Sequence, residues 1–339
     1  MTLAKRWGAS FFLALVVTLL ILLVSGAPPL KTLTILFQGG LGNWTKIAQT
    51  LGVWVPLFLC STALLFTFAA GLWNIGIEGQ VVLGAVGTVW FMRQFDDGSA
   101  GLIAAGLACG MITGALWALL AGILRVWGRV HEIFSGLGLN FVALGLTLWL
   151  IFGPWKRPGV ASMSGTAPLP ESLWLPKISA LSLSPVALVL AVIAFAVVVY
   201  LLKRTYWGLT LKAVGQNPQA ARLMGLRPRR RFLQSMALCG AVAGLAGALQ
   251  VAAVYHRLIP SISSNYGYTA LLVVMMAAFQ PRAIPFICLF FACLNVGSIQ
   301  LPLQLQIDSS LGGVIQGVLV LSVFAVRGLE QRYFKRGTG

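Results

Sequence analysis

Runs of 17 or more mostly apolar residues recur along this chain, separated by short segments rich in Gly, Pro, Lys and Arg. A helix of that length can cross a hydrocarbon layer of about 30 Å. Only 9% of the 339 residues are charged, against roughly 25% in a soluble domain whose surface faces water. A single water-soluble core is therefore excluded, and the chain reads as an all-α polytopic membrane protein.

Apolar windows set against breakers predict about ten transmembrane helices, at 9–27, 51–71, 79–95, 101–124, 134–153, 184–202, 232–254, 266–280, 283–300 and 311–326. The first window, with Lys5 and Arg6 ahead of Phe11 to Val24 and Ser25-Gly26-Ala27 behind it, also has features of a cleaved signal peptide. Its apolar run is longer than a usual signal core, and retaining it gives the more consistent topology. With a cytoplasmic N-terminus, the inside segments hold 17 of the 24 Lys and Arg residues, eight of them in 203–231. This is the positive-inside pattern, and it accounts for the net charge of +17 without nucleic acid as a partner. Parity also favours two helices over one long helix across 266–300. A turn at Gln280-Pro281-Arg282 then keeps Arg327, Arg332, Lys335 and Arg336 inside and the C-terminus cytoplasmic.

The whole of 1–339 is expected to form one transmembrane domain, with a cytoplasmic loop at 203–231 and an external loop at 154–183. Five prolines, Pro154, Pro158, Pro168, Pro170 and Pro176, predict that the external loop is extended and only locally ordered. Gly106, Gly110, Gly114, Ala118 and Gly122 form a stripe of small residues that should be a buried packing seam; Gly240 with Gly244 and Gly313 with Gly317 repeat the spacing. Cys60, Cys109, Cys239, Cys288 and Cys293 lie in apolar stretches without a CxxC pair and read as packing residues, not as disulfides or metal ligands.

Three polar segments stand out. The first is Gly215-Gln-Asn-Pro-Gln-Ala-Ala-Arg-Leu-Met-Gly225 within the basic loop. It predicts a short helix: Asn217 suits the N-cap, Pro218 the first turn, Ala220 and Ala221 the body, and Gly225 a left-handed exit. Two turns span nothing, but they can dock into a partner or lie on anionic lipid headgroups. The second, Gly71-Leu-Trp-Asn-Ile-Gly-Ile-Glu-Gly-Gln80, places three glycines, an amide and a carboxylate between two apolar helices. Such a segment should interrupt regular helix, which is tolerated at membrane depth where backbone lines a polar cavity or is buried in protein. Glu78 is either a partnered intramembrane carboxylate or a cytoplasmic turn residue. The third is Arg129-Val-His-Glu-Ile-Phe-Ser-Gly-Leu-Gly-Leu-Asn140, followed by Gly153-Pro-Trp-Lys-Arg-Pro-Gly159. Ser135 stands where a zinc-binding H-E-x-x-H would need its second His, and Glu132 near Arg125 and Arg129 reads as a membrane-edge ion pair.

Gln219-Ala220-Ala221-x-x-x-Gly225 resembles the Glu-Ala-Ala-x-x-x-Gly coupling loop of ABC importer permeases, with Gln219 in place of the usual Glu. The 71–80 segment resembles the Phe-Asn-Ile-Gly-x-Glu-Gly-Gln signature of the branched-chain amino acid and ribose permease group, nucleoside type, with Trp73 in place of Phe. The third segment is similar to the Asn-Glu-Val and Gly-Pro-Leu-Lys-x-Pro-Gly stretches of the same group, with His131 in place of Asn. The resemblance extends over residues 50–325 in the family's order. It implies a multi-pass permease of a bacterial cytoplasmic (inner) membrane, paired with an identical or related permease. It further implies two ATP-binding cassette ATPases and an external substrate-binding protein as partners.

In that reading Asn217, Pro218, Gln219, Ala220, Ala221 and Gly225 couple to the ATPase. Trp73, Asn74, Glu78, Gln80 and Asn140 border the path of a small polar solute, expected to be a nucleoside, with a simple sugar as the alternative. No cofactor or metal is expected on this chain. It has no G-x-x-x-x-G-K-[ST] loop, so ATP would be hydrolysed by the partners. The seven acidic residues and two histidines are scattered, which speaks against an enzyme. An ion-coupled secondary transporter is the competing reading; Glu78 would be its sole candidate for carrying the ion, and the capped cytoplasmic helix would have no role in it.

Overall fold

A computed structural model describes residues 16–17, 19–20, 22, 28–157, 165–178, 183–306, 308 and 310–336, with side chains described up to residue 325 except at 319. The regular structure among them is helical, apart from one isolated antiparallel bridge between Ile178 and Leu183. The helices are α1 (Pro29–Leu41), α2 (Trp44–Ala69), α3 (Ile77–Met92), α4 (Ala100–Val126), α5 (Glu132–Phe152), α6 (Pro185–Arg204), α7 (Tyr206–Gln216) and α8 (Pro218–Leu223). They continue with α9 (Pro228–Leu249), α10 (Tyr266–Met276), α11 (Ile284–Ser298), α12 (Gln300–Leu305) and α13 (Ser310–Arg336).

Six stretches among the described residues are long and apolar enough to cross a membrane: Trp44–Ala69, Ala100–Val126, Glu132–Phe152, Pro185–Arg204, Pro228–Tyr255 and Pro281–Leu305. Ile77–Met92, Tyr266–Met276 and Ser310–Ala325 are apolar but shorter. The expected helix at 9–27 lies largely outside the described residues. The others are found with shifted ends, and 266–300 forms two helices separated by a turn and a short 3-10 segment at Pro281–Ala283. Helix α1 was not anticipated. Pro29 is its first residue, where a missing N–H costs nothing.

The chain divides into two compact units, one made of 1–54 with 289–339 and one of Val55–Cys288. In the first, Ile35 and Leu36 of α1 cluster with Leu294 and Leu301 and with Leu311 and Ile315 of α13. Gly39 of α1 faces Gly297 of α11 so closely that an added Cβ would lie 2.8 Å from the Gly297 Cα. Among the described residues nothing lies within 4 Å of a Cβ at Gly313 or Gly317, so the expected seam is not seen there. Gly312 instead takes the tight contact, against Ser298.

In the second unit α3, α4 and α9 pack as a triplet around the predicted seam. Gly106, Gly110, Gly114, Ala118 and Gly122 are all buried. A Cβ on Gly110 would meet the Ala248 Cβ at 2.8 Å, and one on Gly114 would meet the Gly244 Cα at 2.7 Å. Small side chains thus let these helix backbones approach one another, which is how helices associate where lipid supplies no hydrophobic driving force. The five cysteines are free; four are buried and Cys109 is partly so.

Helix α9 does not stop at Leu249 but widens into a π turn over Gln250–Tyr255, ending at His256 in the left-handed conformation with φ 55°. That change leaves backbone groups for other partners, and the segment 165–178 takes them. Leu175 N donates to Ala252 O at 2.9 Å, Leu169 N to His256 O at 2.8 Å, and Thr166 N to Leu258 O at 2.9 Å. Over 165–178 the loop is therefore more ordered than its prolines alone predict, with Thr166, Leu169, Leu173 and Leu175 buried.

Candidate functional site

Helix α2 ends at Ala69 and α3 begins at Ile77, so the chain is interrupted over 70–76, as the glycines and polar residues predict. Four polar side chains are buried here, Asn74, Glu78 and Gln80 of the signature and Asn140 of the third segment, each 1 or 2% exposed. Burial of such groups is costly unless they are paired, and each has partners. Asn74 and Gln80 face one another as reciprocal amides, Asn74 Nδ2 donating to Gln80 Oε1 at 3.1 Å and Gln80 Nε2 to Asn74 Oδ1 at 3.0 Å. Asn74 Nδ2 also lies 3.1 Å from the Cys239 Sγ of α9.

Asn140, from α5, spans the break. Its Oδ1 accepts from Gly79 N at 2.8 Å, and its Nδ2 donates to Ile75 O at 3.0 Å and to the Tyr268 hydroxyl at 3.1 Å. Glu78 turns the other way. Its Oε2 accepts from Gly267 N, at the start of α10, at 2.8 Å. Ser263, Asn265 and Tyr268 lie around the same carboxylate. A helix N-terminus presents unpaired N–H groups and positive dipole, which is why a carboxylate is stable there without a basic partner.

The segment Arg257–Asn265 between the π turn and α10 is a second interruption. Ser264 and Asn265 both adopt positive φ, 47° and 59°. Tyr266 is buried, with the side chains of Ser264 and Gln250 near its hydroxyl. These residues escaped the sequence reading, which placed 255–265 in an external loop. The polar run Ser261-Ile-Ser-Ser-Asn265 after Pro260 was the available signal. Trp73 alone of the signature stays open, 39% exposed, with its ring edge-on to Phe68 at 5.4 Å.

The Gly215–Gly225 motif forms the predicted helix with both ends fixed. Asn217 Oδ1 accepts from Gln219 N and Ala220 N, each at 3.0 Å, and Pro218 occupies the first helical position. At the exit Gly225 has φ 81°, Gly225 N donates to Arg222 O and Leu226 N to Ala221 O, both at 3.0 Å. This double bond pattern around a left-handed glycine satisfies the last carbonyls. Ala221 is buried, whereas Leu223 and Met224 are 91% and 81% exposed. At the third motif, Arg125 Nε pairs with Glu132 Oε2 at 2.8 Å, and the His131 ring caps α5 at Ile133 N. Among the described residues no group of three or more His, Cys, Asp or Glu side chains is arranged to hold a metal ion.

Residues 46–324 match the model of a family described as branched-chain amino acid transport system / permease component. A guanosine ABC transporter permease protein, NupP, from Bacillus subtilis (strain 168) is 25% identical over 97% of this chain and 96% of its own length. A nucleoside ABC transporter permease protein, NupB, from Lactococcus lactis subsp. cremoris (strain MG1363) is 27% identical over 82% of this chain and 79% of its own. A glucose ABC transporter permease protein, TsgB13, from Haloferax volcanii is 28% identical over 91% and 82%. No solved structure matches the chain.

Proposed function

The chain belongs to the family of branched-chain amino acid transport system permease components, and from that premise we propose that it imports a nucleoside as the permease subunit of an ABC transporter. The named activities of its relatives, guanosine and nucleoside transport in two and glucose transport in a third, support a small polar solute. The permease is a multi-pass membrane protein of about ten helices in a bacterial cytoplasmic membrane, with both termini inside. It works with two ATPase subunits, a second permease, identical or related, and an external substrate-binding protein. It binds no cofactor of its own.

The observation that carries this reading is the helix Pro218–Leu223. A six-residue helix is too short to persist on propensity alone, yet here it is capped at both ends and presents Leu223 and Met224 outward on a loop rich in basic residues. That is a rigid knob suited to a cleft on a partner. Closure of the ATPases moves it, and the helices around the 70–76 interruption reorient. Trp73 supplies the open apolar face of the solute path, and Asn74, Glu78, Gln80 and Asn140 set the shape of the break behind it. A nucleoside offers a base for stacking on Trp73 and ribose hydroxyls for hydrogen bonds.

The test is co-purification of the detergent-solubilised chain with its ATPase, comparing the native sequence with Leu223→Asp/Met224→Asp. Retention by the native chain and loss by the variant is expected. If neither retains an ATPase under conditions that preserve such complexes, the importer reading falls and ion-gradient dependence becomes the next measurement.

A further inference from the structure

We propose that Gly215 is the positioning residue through which movement of the coupling helix reaches the helix break at 70–76. The inference rests on the coupling role given above to Asn217–Gly225, and adds the route by which that role acts on the path.

Helix α7 leads directly into the coupling helix. Only Asn217 separates Gln216 from Pro218, and Asn217 N still donates to Ala213 O at 3.2 Å, so the two helices are tied across the junction. The other end of α7 is an anchored elbow. Thr205 Oγ1 donates to Leu201 O at 2.6 Å and accepts from Gly208 N at 3.2 Å. Trp207 packs edge-on against Phe66 at 5.7 Å, and its Nε1 donates to Gln234 Oε1 of α9 at 3.0 Å. Eleven residues at about 1.5 Å each make an arm of roughly 16 Å between elbow and tip.

Gly215 sits at that tip and meets the end of α2 backbone to backbone. A Cβ on Gly215 would lie 2.8 Å from the carbonyl carbon of Ala70 and 3.0 Å from Gly71 N. A Cβ on Gly71, whose φ is 72°, would lie 2.8 Å from Gly215 O. The contact is backbone on both sides, Gly215 against Ala69, Ala70 and Gly71, so no side chain stands between them to change rotamer and absorb a displacement. A shift of the coupling helix therefore passes to Ala70 and Gly71 in full. From there Asn74 is tied to Gln80 in α3, Gly79 to Asn140 in α5, and Glu78 to Gly267 in α10. One contact thus reaches three helices around the break.

The experiment places single cysteines at Trp73→Cys and, separately, at Gln216→Cys in the complex with its ATPase. A water-soluble maleimide reads their labelling rates with and without ATP and vanadate, against the parent chain as background. With Gly215 intact, both positions are expected to change rate on nucleotide addition, with the same nucleotide concentration dependence. Adding Gly215→Ala should keep the bound ATPase and the response at 216 while abolishing the response at 73. A response at 73 that survives Gly215→Ala overturns the inference. So does a response at 216 without one at 73 in the chain that keeps Gly215, a comparison that decides the matter even if Gly215→Ala fails to insert. If the native chain retains no ATPase, the coupling reading itself fails, and this inference falls with it.

Discussion

The Glu78 carboxylate accepts a hydrogen bond from Gly267 N at 2.8 Å, joining the first turn of α3 to the first turn of α10 across 189 residues of sequence. Gly267 is required there, because a Cβ would lie 2.5 Å from Glu78 Oε2 and 2.8 Å from Glu78 N. Removing the carboxylate leaves the buried Gly267 N–H unpaired, at a cost of about 1–3 kcal/mol. Glu78→Ala should therefore lower the thermal midpoint of the detergent-solubilised chain clearly more than Glu78→Gln, which keeps an acceptor oxygen. Equal midpoints for the two variants would show that this bond does not hold the break.

The reciprocal amides Asn74 and Gln80 predict a coupled loss. Asn74→Ala or Gln80→Ala alone strands its partner in a buried site and should cost about 1–3 kcal/mol. The double variant removes both needs together, so its loss should be smaller than the two single losses added. Additive losses in a double-mutant cycle, read by thermal or denaturant unfolding, would count against the pair as a unit.

Much of this arrangement was legible in the sequence, and the reasons differ by element. Helices α4, α5 and α6 are long apolar runs, the first two capped by Ser99 and His131, and their ends were found within two residues. The short helix Pro218–Leu223 was legible because its caps are local chemistry: Asn217 bonds residues two and three places ahead of it. What sequence could not give was the partner of each buried polar group. Glu78 was left open between a turn residue and an intramembrane carboxylate, because Gly267 is remote in the chain and glycine carries no polar side chain to flag it. The π turn at Gln250–Tyr255 was hidden for another reason: its apolar pattern reads as a simple continuation of α9. Ala221 was read as part of the docking helix, and the structure turns it inward, so a bulky substitution there tests folding of the knob and not its outer face.

The caps on the coupling helix predict a graded effect on assembly. Asn217→Ala removes the acceptor for two N–H groups, worth about 1 kcal/mol. Gly225→Ala forces a Cβ into the left-handed region, at about 1–2 kcal/mol. If docking requires the formed helix, each change should weaken ATPase affinity by roughly fivefold or more, since about 1.4 kcal/mol is tenfold. Thermal stability of the permease alone should barely move, because the helix lies at its surface. Titration of ATPase onto immobilised permease checks this, and unchanged affinity in both variants would mean that the helix is not the docking element.

The external loop carries a pH prediction. Its Trp174 ring stacks on His256 at 3.8 Å with 12° between planes, and Lys177 Nζ lies 2.7 Å from His256 Nε2. A lysine ammonium can donate to that nitrogen only while the imidazole is neutral. Burial, and then the Lys177 charge, push the His256 pKa down from 6.5 to about 4. With the loop detached, His256 would titrate near 6.5 and bind a proton more readily than in the docked state. Docking is thus fully favoured above pH 6.5 and weakens as pH falls from there towards about 4. Amide hydrogen exchange at Leu169 and Leu175, corrected for intrinsic rates, should rise relative to the rest of the chain as pH falls through that window. In His256→Phe, which keeps the stack but cannot titrate, the pH dependence should vanish; a profile identical to the native one would place the sensitive group elsewhere.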